Sequence, residues 1–219
     1  MVLFLLLLIL PIFTHAGVIN RLPTEEKVVA ITLDACETKT PSYLDMGIID
    51  YLVSNKIPFT LFVSGKFLLR NKEEIKKLHS SGLVSIHNHS MNHYLHMERL
   101  PASSVIKEVR DVEELIQNTI GQRPKYFRFP AGNYDEKTLK LVESMGYKVV
   151  HWTFPSGDPD RNITPERLAS HVLEKTKPGS ILIFHVNGRG YSTAKAMPKI
   201  IQELKKKGYR FVLIDDYIK

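Results

Sequence analysis

Short apolar runs alternate with amphipathic stretches along almost the whole chain, and this alternation restricts the fold more than any other feature of the sequence. The strand-like runs are Val28–Leu33, Phe59–Val63, Leu83–His87, Tyr126–Phe129, Lys148–Trp152, Ser180–Phe184 and Arg210–Leu213. Helical patterns lie between them, near Tyr43–Asn55, Lys72–Ser80, Ser104–Ile120, Glu136–Met145, Pro165–Lys175 and Thr193–Lys207. The best patterned is the third, where Val105, Val109, Val112, Ile116 and Ile120 make one apolar stripe. Thr164-Pro165 reads as an N-cap followed by proline at the first helical position. Gly146 and Gly208 follow periodic segments and read as helix stops. Strands apolar throughout and joined through helices predict an α/β fold, a mostly parallel sheet covered by helices. Seven or eight strands without a nucleotide-binding glycine loop favour a barrel over an open doubly wound sheet. In either architecture, chemistry belongs at the carboxyl ends of the strands.

The 219 residues, 43% hydrophobic and 24% charged, suit one globular domain. Residues 1–13 are almost wholly apolar, and Thr14-His15-Ala16 offers small residues where a signal peptidase reads. Residues 1–16 are therefore expected to be a secretory signal and 17–219 the functional domain. The rival, a retained anchor, needs ~20 apolar residues to span a bilayer, and the run is shorter. The net charge of +7 favours acidic polymers or an anionic cell envelope as partners. Nucleic acid is not expected, because no concentrated basic stripe with interleaved aromatics occurs; Lys76-Lys77 and Lys205-Lys206-Lys207 read as solvated helix faces. Cys36 is the single cysteine, so no intrachain disulfide can form and stability must come from the core.

Polar residues interrupt this pattern at or just beyond strand ends. His89 and His93, in Asn88-His89-Ser90-Met91-Asn92-His93, are four apart, a spacing that on one helical turn lets both imidazoles share an ion. Asp34 stands where the first strand opens into a loop, as a base, a ligand or a turn residue. Arg128 lies inside an apolar strand and needs a carboxylate partner if buried. His185 ends another apolar run, suited either to the core or to proton transfer, and Asp158 in the loop Phe154–Pro159 is a turn carboxylate or its orienting partner. Together they compose a hydrolytic site. A divalent ion on His89 and His93 activates water, Asp34 held by Arg128 takes its proton, and His185 with Asp158 protonates the leaving group. His87 and His96 are spare candidates for ligands.

With these motifs in order, the chain resembles the NodB-homology polysaccharide deacetylases, carbohydrate esterase family 4, over nearly all of residues 17–219. The family's Thr-Phe-Asp-Asp-Gly corresponds to Thr32-Leu33-Asp34-Ala35-Cys36, its Asn-His-Ser/Thr-x-x-His to residues 88–93, and its Arg-x-Pro-x-Gly to Arg128-Phe129-Pro130-Ala131-Gly132. Asp158-Pro159 keeps the acid of the fourth motif without its Trp, and Ile183-Phe184-His185 fits the fifth. The resemblance implies a distorted (β/α) barrel, with Asp34 as base, Arg128 as its tether, His185 as acid, and His89 and His93 as metal ligands.

The departure is Ala35, which occupies the family's usual carboxylate ligand position. Asp34 moving onto the ion, Glu37 swinging in, Cys36 ligating as a thiolate, or a weak, partly hydrated site are the open alternatives. Ala35→Asp is expected to tighten the metal if the family geometry persists. The function the resemblance implies is zinc-dependent removal of acetyl groups from N-acetylated amino-sugar polymers such as peptidoglycan or chitin, outside the cell. The alternatives are O-acetyl ester hydrolysis and a catalytically silent glycan-binding module of the envelope. Trp152 is expected to stack on a sugar or to fill the core.

Overall fold

A computed structural model describes residues 17–219. The expected signal at 1–16 lies outside the described residues. Seven strands form one parallel sheet: β1 (Val28–Ala35), β2 (Phe59–Val63), β3 (Val84–Asn88), β4 (Tyr126–Phe127), β5 (Lys148–Val149), β6 (Ser180–His185) and β7 (Arg210–Val212). Their order is β5-β4-β3-β2-β1-β6, with β7 joined to the first half of β1. Helices α1 (Met46–Ser54), α2 (Gly65–Arg70), α3 (Lys72–His79), α4 (Ala102–Ile120), α5 (Glu136–Ser144), α6 (Pro165–Lys175) and α7 (Thr193–Lys206) supply most of the crossovers.

Strand β1 shows why the sheet has two apolar faces. Val29, Ile31, Leu33 and Ala35 pack into the large cluster shared with α1, α6 and α7. Val28 and Ala30 belong instead to a second cluster with Phe62, Tyr126, Val150, Ile181 and Val212, side chains from strands far apart in the sheet order. Only a curled sheet brings those residues together, so the second cluster fills a concave interior. The curl does not close by a continuous ladder. Between β5 and β6 the gap is crossed by isolated bridges, Ile19 to Val150 and Phe154 to Leu182, with Arg21 to Ser180 beside them. The fold is thus the expected distorted barrel, with seven strands and one loosely bridged seam.

The local signals are realised in detail. Thr164 caps α6 by accepting from the Arg167 N–H at 3.2 Å, with Pro165 at the first helical position. Gly146 (φ +90°) and Gly208 (φ +84°) follow α5 and α7 in the left-handed backbone that favours glycine. Val105, Val109, Val112 and Ile116 are buried on α4 as the stripe requires, whereas Ile120 is half-buried. Helix α2 was not foreseen: a Ser64 cap opens it, but six residues give too little periodicity to read.

Candidate metal centre and catalytic cleft

Asp34, His89, His93, Arg128, Asp158 and His185 lie at or beyond the carboxyl ends of the strands. Asp34 of β1 and His185 of β6 are register partners, so parallel pairing places a carboxylate and an imidazole side by side. The row continues past the strand ends, with the Val186 N–H donating to the Asp34 carbonyl at 3.1 Å. Next come Cys36 and Asn187, whose side-chain amide donates to the Cys36 carbonyl at 2.6 Å and its sulfur at 3.0 Å.

The His89–His93 segment is not the helical turn that its spacing suggests. Ser90 (φ +65°) and His93 (φ +54°) adopt left-handed backbone, which non-glycine residues enter at some cost. Polar groups hold the turn: the Ser90 N–H donates to Asn88 Oδ1 at 2.9 Å and the His93 N–H to Ser90 Oγ at 3.1 Å. Buried Glu108, from the otherwise apolar face of α4, accepts from the Asn92 N–H at 2.8 Å. The turn still brings the two imidazoles together, with ring centroids 4.8 Å apart.

Cys36, His89 and His93 offer one ligand atom each, all within 4.8 Å of one another and all from buried residues. Ligand atoms on one tetrahedral zinc stand roughly 3.6 Å apart, given bonds of ~2.0–2.3 Å, so the three atoms need only close in by about 1 Å to share an ion. His89 Nδ1 lies 2.8 Å from the Arg128 carbonyl, which fixes the ring, while His89 Nε2 and His93 Nδ1 are buried without hydrogen-bond partners. Orphaned nitrogens beside a sulfur are costly unless a cation satisfies them, and the residues therefore fit a divalent ion. Burial lowers the pKa of both histidines, that of His93 to about 3, so each offers a neutral imidazole. Burial, with the charge of Asp34, pushes the Cys36 thiol up to about 12. An ion binding here must displace that proton.

The other open ligand alternatives fare differently. Glu37 faces Arg70, which donates from Nε to Oε2 at 2.7 Å and from the guanidinium to Oε1 at 3.2 Å. His87 is tied to Asp215 at 3.0 Å, and exposed His96 to Glu98 at 2.8 Å. Asp34 lies beside the cluster, with Oδ2 3.6 Å from His89 Nε2, but its Oδ1 accepts from Arg128 at 2.7 Å.

Arg128 is fully buried, over the Phe62 ring at 3.9 Å, and donates to the carbonyls of Val150 (3.1 Å) and His151 (2.8 Å). Burial alone would raise the Asp34 carboxyl; the charge and hydrogen bond of Arg128, with the charge of His185, outweigh it and bring the pKa down to about 2. Across the cleft, fully buried Asp158 lies 2.9 Å from His185 Nδ1 and accepts from the His185 N–H at 2.7 Å and from Thr193 Oγ1 at 2.9 Å. Burial works against the imidazolium of His185, but the hydrogen bond and charge of Asp158 prevail and raise its pKa. Gly190 makes this packing possible, because a Cβ there would stand 2.4 Å from the His185 carbonyl and 2.9 Å from Asp158 Oδ2.

A cavity of about 320 Å³ opens over these groups, lined among others by Asp34, His93, Trp152, Asp158, His185 and Arg189. Trp152 is half-buried, stacked on His151 at 5.1 Å, and forms part of the wall rather than of the core. Sequence reasoning missed Glu108, Asn187 and Thr193 as supports of the site. For Glu108 the signal was available, since it is a carboxylate set into an apolar stripe.

Residues 21–150 match the family model described as polysaccharide deacetylase. A peptidoglycan-N-acetylglucosamine deacetylase of Bacillus cereus is 30% identical over 201 residues, which cover 91% of this chain and 92% of that protein. A family 4 carbohydrate esterase from Bacillus anthracis superposes with a TM-score of 0.74 at 29% identity, covering 93% of this chain and 87% of the other. The BA3943 protein of Bacillus anthracis, a CE4 family pseudoenzyme, superposes with a TM-score of 0.81 over 93% of this chain and 69% of its own, and at 20% identity it shows a shared fold. The chain belongs to the polysaccharide deacetylase family.

Proposed function

We propose that this protein is a metal-dependent deacetylase that hydrolyses the acetamido groups of amino-sugar polymers, with peptidoglycan or chitin-like chains as substrates. The observation that carries the reading is the meeting of three features in one cleft. They are the Cys36–His89–His93 cluster, an ionised Asp34 locked by buried Arg128, and a His185 primed by Asp158. Cys36, His89 and His93 would hold the ion, and zinc suits a sulfur and two nitrogens. When bound, such an ion polarises an acetyl carbonyl and lowers the pKa of coordinated water.

The chain's own groups then divide the proton transfers. Arg128 holds Asp34 Oδ1 and keeps the carboxylate ionised, leaving Oδ2 to accept a proton from water. His185 Nδ1 is engaged by Asp158, so Nε2 is the atom that delivers a proton to the departing amine. Cleavage of the amide C–N bond yields acetate and a free amino sugar. Trp152 gives the sugar ring a flat wall. The net charge of +7 suits an anionic envelope, and residues 1–16 are proposed as the export signal of a domain spanning 17–219. No helix among the described residues is long and apolar enough to cross a membrane.

The first motif, Asp34-Ala35-Cys36, carries one carboxylate where the family carries two, and this supports a second reading, a glycan-binding module without turnover. Acetate release from zinc-loaded protein on acetylated chitooligosaccharides and peptidoglycan fragments, with acetyl esters in parallel, separates the readings. Turnover of amides is expected, falling by roughly 10²–10⁴-fold in His185→Ala or Asp34→Ala with the fold retained. Glycan binding without acetate would establish the silent module, and near-wild-type rates in either variant would remove that residue from its role.

A further inference from the structure

The register that pairs Asp34 with His185 also sets Asn187 against Cys36, two residues farther along each segment. Asn187 is buried, so its amide cannot rely on solvent, and its orientation is fixed from both ends. Oδ1 accepts from the Arg189 backbone N–H at 3.3 Å, and Nδ2 donates to the Cys36 carbonyl at 2.6 Å. The opposite orientation would set oxygen against a carbonyl oxygen and NH₂ against an N–H. With the amide so held, its remaining contact is to Sγ at 3.0 Å. A thiol is a weak acceptor, whereas a thiolate accepts charge-assisted hydrogen bonds well. The Asn187 donor is therefore placed to favour the anion, against the burial and the Asp34 carboxylate that disfavour it.

We propose that Asn187 is a positioning residue that orients Cys36 and stabilises it as a thiolate ligand of the metal centre. The inference rests on the metal-dependent reading above and extends it to the shell behind the ligands. Partners of this kind govern both ligand geometry and the electron density a ligand donates. Asn187 ties the strand-end loop of β1 to that of β6, so the same side chain couples the ligand to the segment carrying His185.

The test uses the full domain loaded with Co²⁺, whose sulfur-to-cobalt charge-transfer band in the near ultraviolet reports a thiolate ligand directly. Zinc affinity is measured in parallel by chelator competition. In Asn187→Leu, which is nearly the same size but has no donor, the band should move to longer wavelength because the sulfur is more electron-rich. Zinc affinity should fall by roughly 10–100-fold. Asn187→Asp places oxygen against the sulfur and should weaken binding further. Circular dichroism of the metal-free variants checks the fold, and Asn187→Ser replaces the leucine variant if that protein does not fold. A wild-type band that is unchanged in the variants, with zinc affinity within about twofold, would overturn the role of Asn187 while leaving the metal centre intact. Absence of any thiolate band in the wild type would overturn Cys36 as a ligand, and the role of Asn187 with it.

Discussion

Replacing Arg128 with Met tests whether the buried ion pair is what keeps Asp34 ready to act. The guanidinium is fully buried and makes three hydrogen bonds, one to Asp34 Oδ1 at 2.7 Å and two to backbone carbonyls. Methionine fills much of the volume but strands a carboxylate that is only 4% exposed. Breaking a buried pair by removing one partner costs about 3–5 kcal/mol. For a domain of this size that is a fall of about 6–20 °C in melting temperature. A second estimate comes from the carboxyl itself. Its pKa of about 2, below the ordinary aspartate value of 3.8, is worth roughly 2–3 kcal/mol at neutral pH. Because the folded-state pKa is depressed, this stability is present above pH ~4 and is lost as pH falls through about 2. In Arg128→Met the sign reverses: burial then raises the Asp34 pKa, and the variant gains relative stability as pH falls. Urea unfolding of the metal-free proteins, followed by circular dichroism at pH 7 and pH 4, should show the gap to wild type narrowing at pH 4. Asp34→Asn combined with Arg128→Met should cost about 2–3 kcal/mol less than the sum of the single changes. Additive single losses, or a gap independent of pH, would refute the argument.

The remaining predictions concern the metal and the acid. Replacing both His89 and His93 with Ala should abolish zinc uptake in elemental analysis, and Cys36→Ser should weaken zinc while shifting preference towards harder ions; unchanged stoichiometry in the double variant would remove the site. If His185 serves the leaving amine as proposed, it must be protonated, and since Asp158 raises its pKa against burial, kcat/KM should fall as pH rises through that pKa. Asp158→Asn should move this basic limb to lower pH, and an unmoved limb would dissociate Asp158 from the acid.

Which parts of the molecule were legible follows from the range of the interactions that form them. Strand β1 carries its own two-face pattern, and α4 its own stripe, so both could be read locally. Arg128 was legible because a charge in an apolar run needs a partner, and Asp158 because one of its two readings was as the partner of His185; the fold pairs them with Asp34 and His185. The turn from His89 to His93 was not, because its left-handed residues depend on Asn88, Ser90 and a carboxylate arriving from α4. Asn187 acquires its meaning only from the register of β1 with β6, a long-range fact with no local trace.

Position 35 is where residue alignment and strand geometry part. Matching the family motif makes Ala35 the vacant ligand position and leads to the expectation that Ala35→Asp tightens the metal. In the fold, Ala35 follows Leu33 on the helix-facing side of β1, fully buried in the larger apolar cluster, while Asp34 and Cys36 flank it at the site. Its backbone is held in place: Ala35 pairs with Val63, and its carbonyl accepts from the Ser64 N–H at 3.0 Å. Turning a new carboxylate towards the ion would break that ladder, and leaving it in place would bury an unpaired charge at a cost of several kcal/mol. Ala35→Asp should therefore lower the melting temperature by about 6 °C or more without tightening zinc. Cys36→Asp, by contrast, should keep measurable metal binding and lose the thiolate band. A stable Ala35→Asp variant that binds zinc more tightly would show that β1 ends before Ala35, and would return the ligand role from Cys36 to position 35.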